Sequence, residues 1–260
     1  MWIKVDTRQP LAVLVVLLSV LAWLALWAWG RSPYSRFLSH HGLDAVGGDS
    51  ALMLVFIAGW TIMVIAMMLP TSLPLFTLFQ RLTHQRPDHL QLTGLLIGGY
   101  RAAWTLFGAA VYAGDWMLHQ VVDRNVWLHT KAWMLGAMTL VLAGLYQFTS
   151  LKYHCLDKCR SPMNFVMEHW RGHSERRHAL LLGMQHGLFC VGCCWSLMLL
   201  MFAVGAGSLG WMLVVGVIMA LEKNMPWGRR ISAPLGIILV VWGTTLLLLG
   251  APAMEHPHIH

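Results

Sequence analysis

The sequence predicts an all-α fold, a polytopic transmembrane helix bundle of about seven spans with a cytoplasmic N-terminus and a periplasmic C-terminus. Three observations predict it. The chain has 260 residues, 57% of them hydrophobic and only 11% charged, where soluble domains carry roughly 25% charged residues. Its apolar runs fall at 11–29, 51–69, 92–114, 132–150, 179–203, 208–222 and 232–250, most near the roughly 20 residues that a helix needs to cross hydrocarbon. Its cations are asymmetric. With the N-terminus inside, the cytoplasmic segments hold 13 of the 18 Lys and Arg residues, among them Lys4, Arg81, Arg86, Lys152, Arg160, Lys223 and Arg229, as the positive-inside rule requires. That pattern places the protein in a bacterial inner membrane, in contact with the lipid bilayer. The net charge of +7 is thereby a topology signal, and no water-soluble basic face remains to bind nucleic acid.

Each run has its own boundary logic. Lys4 and Arg8 precede the first, which continues into Trp23, Trp27 and Trp29 without a small-residue cleavage site, so it reads as an uncleaved span, with the mature chain starting near Met1. Residues 30–50, rich in Gly, Ser and Pro, form an outside loop carrying His40 and His41. Pro70 and Pro74 should kink or end the second span. The third contains Arg101, whose long stem can snorkel to the cytoplasmic interface. Asp115, His119, Asp123, Arg124 and His129 after it carry enough polarity for an interfacial turn or short helix. Tyr146 and Gln147 end the fourth and are candidates for interhelical hydrogen bonds.

The longest polar segment, 151–178, is a cytoplasmic loop in which Ser161 and Pro162 should start a short amphipathic helix over 162–170, with Met163, Phe165 and Trp170 inward. The run 208–222 is the shortest. A six-span alternative without it would move a basic segment to the wrong side. Glu222, the acidic residue bordering the last spans, pairs on the surface with Lys223 or Arg229, or has a structural or proton-handling role. The tail places His256, His258 and His260 outside, where adventitious metal can bind. There is no internal repeat and no linker, so residues 1–260 form a single integral membrane domain.

Chemistry concentrates in "HGLFCVGCCW", His186 to Trp195. With His186 at zero and 100° per residue, Cys190 lies near 40°, Cys193 near 340° and Cys194 near 80°. All four share one helical face, with Met201 on the same stripe two turns on. A single buried cysteine behaves as a small apolar residue. Three with a histidine on one intramembrane face point instead to a metal. Cys155 and Cys159, at i and i+4 in "YHCLDKC", would face the same way at the cytoplasmic mouth if the fourth span continues helically past Lys152. All five cysteines lie on the cytoplasmic side or in the bilayer, where thiols stay reduced, and an odd count excludes a complete disulfide framework. Met63 and Met67, one turn apart with Trp60 on their side and Met68 following, are filler or thioether ligands. Thiolate and thioether donors together select Cu(I).

The segments "WTIMVIAMMLPTSLP", "YQFTSLKYHCLDKCRSPMNF", "GMQHGLFCVGCCWSLMLLMFAVG" and "LEKNMPWGRR" resemble a bacterial family of uncharacterised integral membrane proteins described as metal-binding, recognised by GCCW and CxxxCR motifs. The resemblance runs from about residue 50 to 245. It implies a shared purpose for Met63, Met67, Met68, Cys155, Cys159, His186, Cys190, Cys193, Cys194 and Glu222, and it supplies no reaction.

The leading expectation is therefore a copper-binding membrane protein for metal transport, delivery or cuproenzyme assembly. Cys190, Cys193, Cys194 and His186 form the core site, Cys155 and Cys159 an entry or second site, and Met63 and Met67 the thioether contacts. Zinc and haem are the alternative cofactors. The partners are other membrane subunits or a metal chaperone. A second class is an accessory subunit whose cysteines pack at an interface, and a third is a haem or thiol-redox protein. Haem lacks an obvious second axial histidine, and vicinal cysteines form a strained disulfide on a helix. No CxxCH, phosphate-binding loop, dinucleotide fingerprint or HExxH is present, and nothing marks an enzyme.

Overall fold

A computed structural model describes residues 10–31, 49–124, 132–169, 175–204 and 209–249, and among them every regular element is an α-helix. In chain order these are α1 (Pro10–Gly30), α2 (Asp49–Thr71), α3 (Leu73–Thr83), α4 (His89–Arg124), α5 (Ala132–Tyr146), α6 (Ser150–Arg160), α7 (Pro162–His169), α8 (Glu175–Val204), α9 (Leu209–Asn224) and α10 (Gly228–Leu249). Among the described residues the seven apolar runs are helical, except that the run 132–150 breaks after Tyr146. Four helices are long and apolar enough to cross a membrane, namely Pro10–Gly30, Met53–Thr71, Glu175–Met201 and Gly228–Leu249. A fifth span results if Trp133–Tyr146 and Ser150–Arg160 count as one. Against about seven predicted, α9 falls short with 16 residues. α4 has length to spare at 36 residues but carries Arg101, Asp115 and further polar groups. The loop histidines His40 and His41, the tail histidines His256, His258 and His260, and His129 lie outside the described residues.

The prolines mark the break between the two helices, Pro70 by removing a hydrogen bond at the end of α2 and Pro74 by sitting where the N–H of α3 would be unpaired anyway. Pro70 lies in the last turn of α2, and Pro74 in the first turn of α3. Between α5 and α6 the chain breaks and bends by 65°. The cause is local: Thr149 is extended and its hydroxyl accepts the Lys152 backbone N–H, so a fresh helix starts at Ser150. The expected continuation of the fourth span past Lys152 is thus replaced by a bent pair. Much of the polar segment 151–178, expected as a loop, is helical too. In α7 Phe165 and Val166 are buried while Met163 is exposed. Met163 stands about 200° from Phe165 on the helix, so the two cannot share an inward face, and Trp170 lies outside the described residues.

The pair that organises the site is α4 against α8. A methyl group added at Gly183 would collide with the Leu96 carbonyl, one at Gly99 with the Leu180 carbonyl, and one at Gly187 would stand 2.6 Å from Ala103 Cβ. Gly183 and Gly187 form a GxxxG spacing that lets two backbones touch. Two further contacts fix α4. Trp60 Nε1 donates to the Trp104 carbonyl at 2.9 Å. Arg101 donates to the Thr61 carbonyl at 3.2 Å. At the α3–α4 turn, Arg86 bonds Asp88 and pairs with Glu175 at the start of α8. The Asp88 hydrogen bond first, and then the charges of Glu175 and Asp88, hold its guanidinium above its ordinary range against the opposing pull of desolvation.

Candidate metal centre

The close approach of α4 to α8 brings the hydroxyl of Tyr100 to 3.2 Å from Cys190 Sγ. That hydroxyl also reaches the Met68 carbonyl, at 3.2 Å. Cys190, Cys193 and Cys194 are all but inaccessible to solvent. Cys193 Sγ and Cys194 Sγ donate back to the Cys190 carbonyl at 3.1 and 2.8 Å, which gathers the three residues on one inward face as their helical spacing predicted.

Other helices contribute the rest. α2 supplies Met68, whose sulfur lies 3.8 Å from Cys194 Sγ. α6 supplies Cys159, 4.0 Å from Cys193 Sγ. It also supplies Cys155, whose Sγ packs where a Cβ at Gly192 would stand only 2.6 Å away. The glycine of GCCW therefore makes room for a thiol. Tyr146, at the end of α5, donates its hydroxyl to the Gly192 carbonyl. The predicted i, i+4 relation of Cys155 and Cys159 holds because α6 is helical and lies against α8.

α9 contributes a cation. Lys223 Nζ lies 2.9 Å from Cys190 Sγ, 3.5 Å from Met68 Sδ and 3.9 Å from Cys194 Sγ, and the residue is buried. Next to it, Glu222 is 2% exposed and pairs with neither Lys223 nor Arg229. Its partner is Lys152, whose ammonium lies 2.8 and 3.0 Å from the two carboxylate oxygens. Ser232 donates to the same carboxylate at 2.7 Å, and Lys152 also donates to Gln147. Arg229 instead pairs with Asp157 at the surface. The surface pairing expected for Glu222 thus gives way to a fully enclosed one, since burial leaves a carboxylate only the cation packed against it.

His186 sits one turn before Cys190, enclosed by the rings of Tyr100 and Phe165 at 5.8 and 5.4 Å. Its Nδ1 is buried and has no hydrogen-bond partner among the described residues. Met63 and Met67 are buried, with the Met67 methyl against Gly216 of α9. The thioether that meets the thiols is their neighbour Met68. Among the described residues, no three His, Cys, Asp or Glu side chains converge on one point in a way that would hold a metal. The cluster is one of sulfurs about a van der Waals contact apart, closed by an ammonium.

Three participants escape a sequence reading. Lys223 looks like one more loop cation, Tyr100 like an ordinary interfacial aromatic, and Met68 like a bystander next to Met63 and Met67 until the family resemblance includes it. The available signal was the pair Glu222-Lys223 at the inner end of an apolar run, where ionisable groups need partners.

A protein-family model described as PpoB2: Copper chaperone matches residues 57–246, a stretch that contains all five cysteines, Met68, His186 and Lys223. No curated protein and no solved structure matches the chain.

Proposed function

Because the chain belongs to the PpoB2 copper chaperone family, we propose that it is a membrane-embedded carrier that takes Cu(I) into its sulfur cluster and hands it to a cuproenzyme or another carrier. The observation that carries this reading is the meeting of Cys190, Cys193 and Cys194 with Met68 and Cys159 from two other helices, all of them in or against the protein interior. Thiolate and thioether donors favour Cu(I) over harder ions. A bound cation also lets thiols ionise where hydrocarbon would otherwise forbid it.

Cys190 and Cys194 provide the thiolates and Met68 the thioether, with Cys193 kept as a thiol on the Cys159 side and Met63 and Met67 behind as an apolar wall. Cys159 against Cys193, with Cys155 beside Gly192, gives a neighbouring station toward the polar end of the bundle. Ligand exchange between adjacent sulfurs then moves the ion without releasing it to water. His186, with its unpartnered Nδ1, extends the donor set one turn along α8. The cation asymmetry of the loops supports a bacterial inner-membrane protein with the N-terminus inside and about seven spans, α4 and α9 completing the set.

The test uses purified protein in detergent, loaded with Cu(I) under reducing conditions, desalted and analysed for copper. Stoichiometric copper that Cys190→Ser, Cys193→Ser and Cys194→Ser each diminish, and that passes to an acceptor chelator, supports the proposal. Absence of copper from the wild type, with a stable partner co-purifying, overturns it in favour of an accessory subunit.

A further inference from the structure

The proposed reading leaves one group without a part: the buried ammonium of Lys223. It does not belong to the neighbouring ionic network, whose carboxylate, Glu222, is engaged by Lys152 and Ser232. Its own neighbours are Cys190 Sγ, Met68 Sδ and Cys194 Sγ. An ammonium placed on two thiols and a thioether stands beside the ligands a metal would use and cannot itself be a ligand there while charged.

Charge arithmetic gives it a role. A monovalent ion on two thiolates makes a complex with one net negative charge, and the ammonium cancels it. A divalent ion on the same two thiolates is already neutral, so the ammonium leaves one uncompensated positive charge in the interior, where such charge is costly. Resting on the Cu(I) reading above, we propose that Lys223 is the fixed counter-cation of the site, which selects a monovalent soft ion held by Cys190 and Cys194 over a divalent one. Cys190 is the better prepared of the pair, since Tyr100 and Lys223 both lie within hydrogen-bond range of its sulfur. The selection is electrostatic and adds to the softness of sulfur, which alone separates Cu(I) poorly from zinc.

The experiment compares competition titrations of Cu(I), Ag(I) as a redox-inert monovalent probe, and Zn(II) on the detergent-solubilised full chain. The proteins are the wild type, Lys223→Leu and Lys223→Arg. Lys223→Leu removes the charge and adds no metal ligand. Its Cu(I)-to-Zn(II) and Ag(I)-to-Zn(II) affinity ratios should fall about tenfold or more, because the anionic complex loses its counter-ion. Lys223→Arg retains the charge and should keep ratios near those of the wild type. If the leucine variant elutes as aggregate, Lys223→Gln, polar but uncharged, carries the same comparison. A merely structural lysine would weaken all three metals together. Unchanged ratios, or a shift toward the monovalent ions, would overturn the proposal while leaving the copper function standing. A wild type that binds neither Cu(I) nor Ag(I) removes the reading on which it rests.

Discussion

Replacing Lys152 with Met would strand the Glu222 carboxylate. In the native chain that carboxylate is 2% exposed and receives the Lys152 ammonium at 2.8 and 3.0 Å and the Ser232 hydroxyl at 2.7 Å. After the substitution only the hydroxyl remains. Removing one partner of a buried pair costs about 3–5 kcal/mol, because the desolvation of the survivor is no longer offset. For a chain of this size each kcal/mol lowers Tm by roughly 2–4 °C, so a drop of about 6–20 °C is expected. The double variant Lys152→Met with Glu222→Leu carries neither charge and should recover most of the loss, since an apolar replacement of a buried pair is often neutral. Thermal unfolding in detergent, followed by tryptophan fluorescence on the wild type, both single variants and the double variant, gives the coupling energy directly. The reasoning is refuted if Lys152→Met melts with the wild type, or if the double variant is no more stable than its worse parent.

Other perturbations separate the parts of the site. Met68→Leu, nearly volume-neutral, should weaken Cu(I) binding in chelator competition, whereas Met67→Leu, at a thioether turned toward Gly216, should leave it unchanged. Gly183→Leu must push α4 from α8 and should cost at least about 1–3 kcal/mol of stability, read as a lowered melting temperature. Gly94→Ala, with open space around the added methyl, should show no such loss. Tyr100→Phe removes the hydroxyl between Cys190 Sγ and the Met68 carbonyl. It should cost about 1 kcal/mol by the same melting assay, and copper stoichiometry should remain that of the wild type.

Much of the helical architecture was legible because apolar length is a one-dimensional property. The runs that became α1, α2, α8 and α10 announce themselves by hydropathy alone. The thiol face of α8 was equally readable, since Cys190, Cys193 and Cys194 repeat at helical spacing and need no knowledge of any neighbour. What stayed hidden depends on other helices. Adjacent residues on a helix point about 100° apart, so Met67 and Met68 cannot be ranked until α9 is seen to take one and the thiols the other. Glu222 finds Lys152 seventy positions away in sequence, and nothing local distinguishes that partner from Lys223 next door. The glycines at 99, 183 and 187 look like weak points of helices and become contacts only when α4 and α8 touch. At Thr149 an apolar run was read straight through a capping residue whose hydroxyl begins a new helix.

The central claim is that the buried thiols and Met68 hold Cu(I). X-ray absorption at the copper edge of the loaded wild-type protein tests it most directly. The account predicts Cu(I) in a low-coordinate shell dominated by sulfur, lost when Cys190 and Cys194 are both changed to Ser. A shell dominated by nitrogen and oxygen, or a sulfur shell that survives in that double variant, would contradict it.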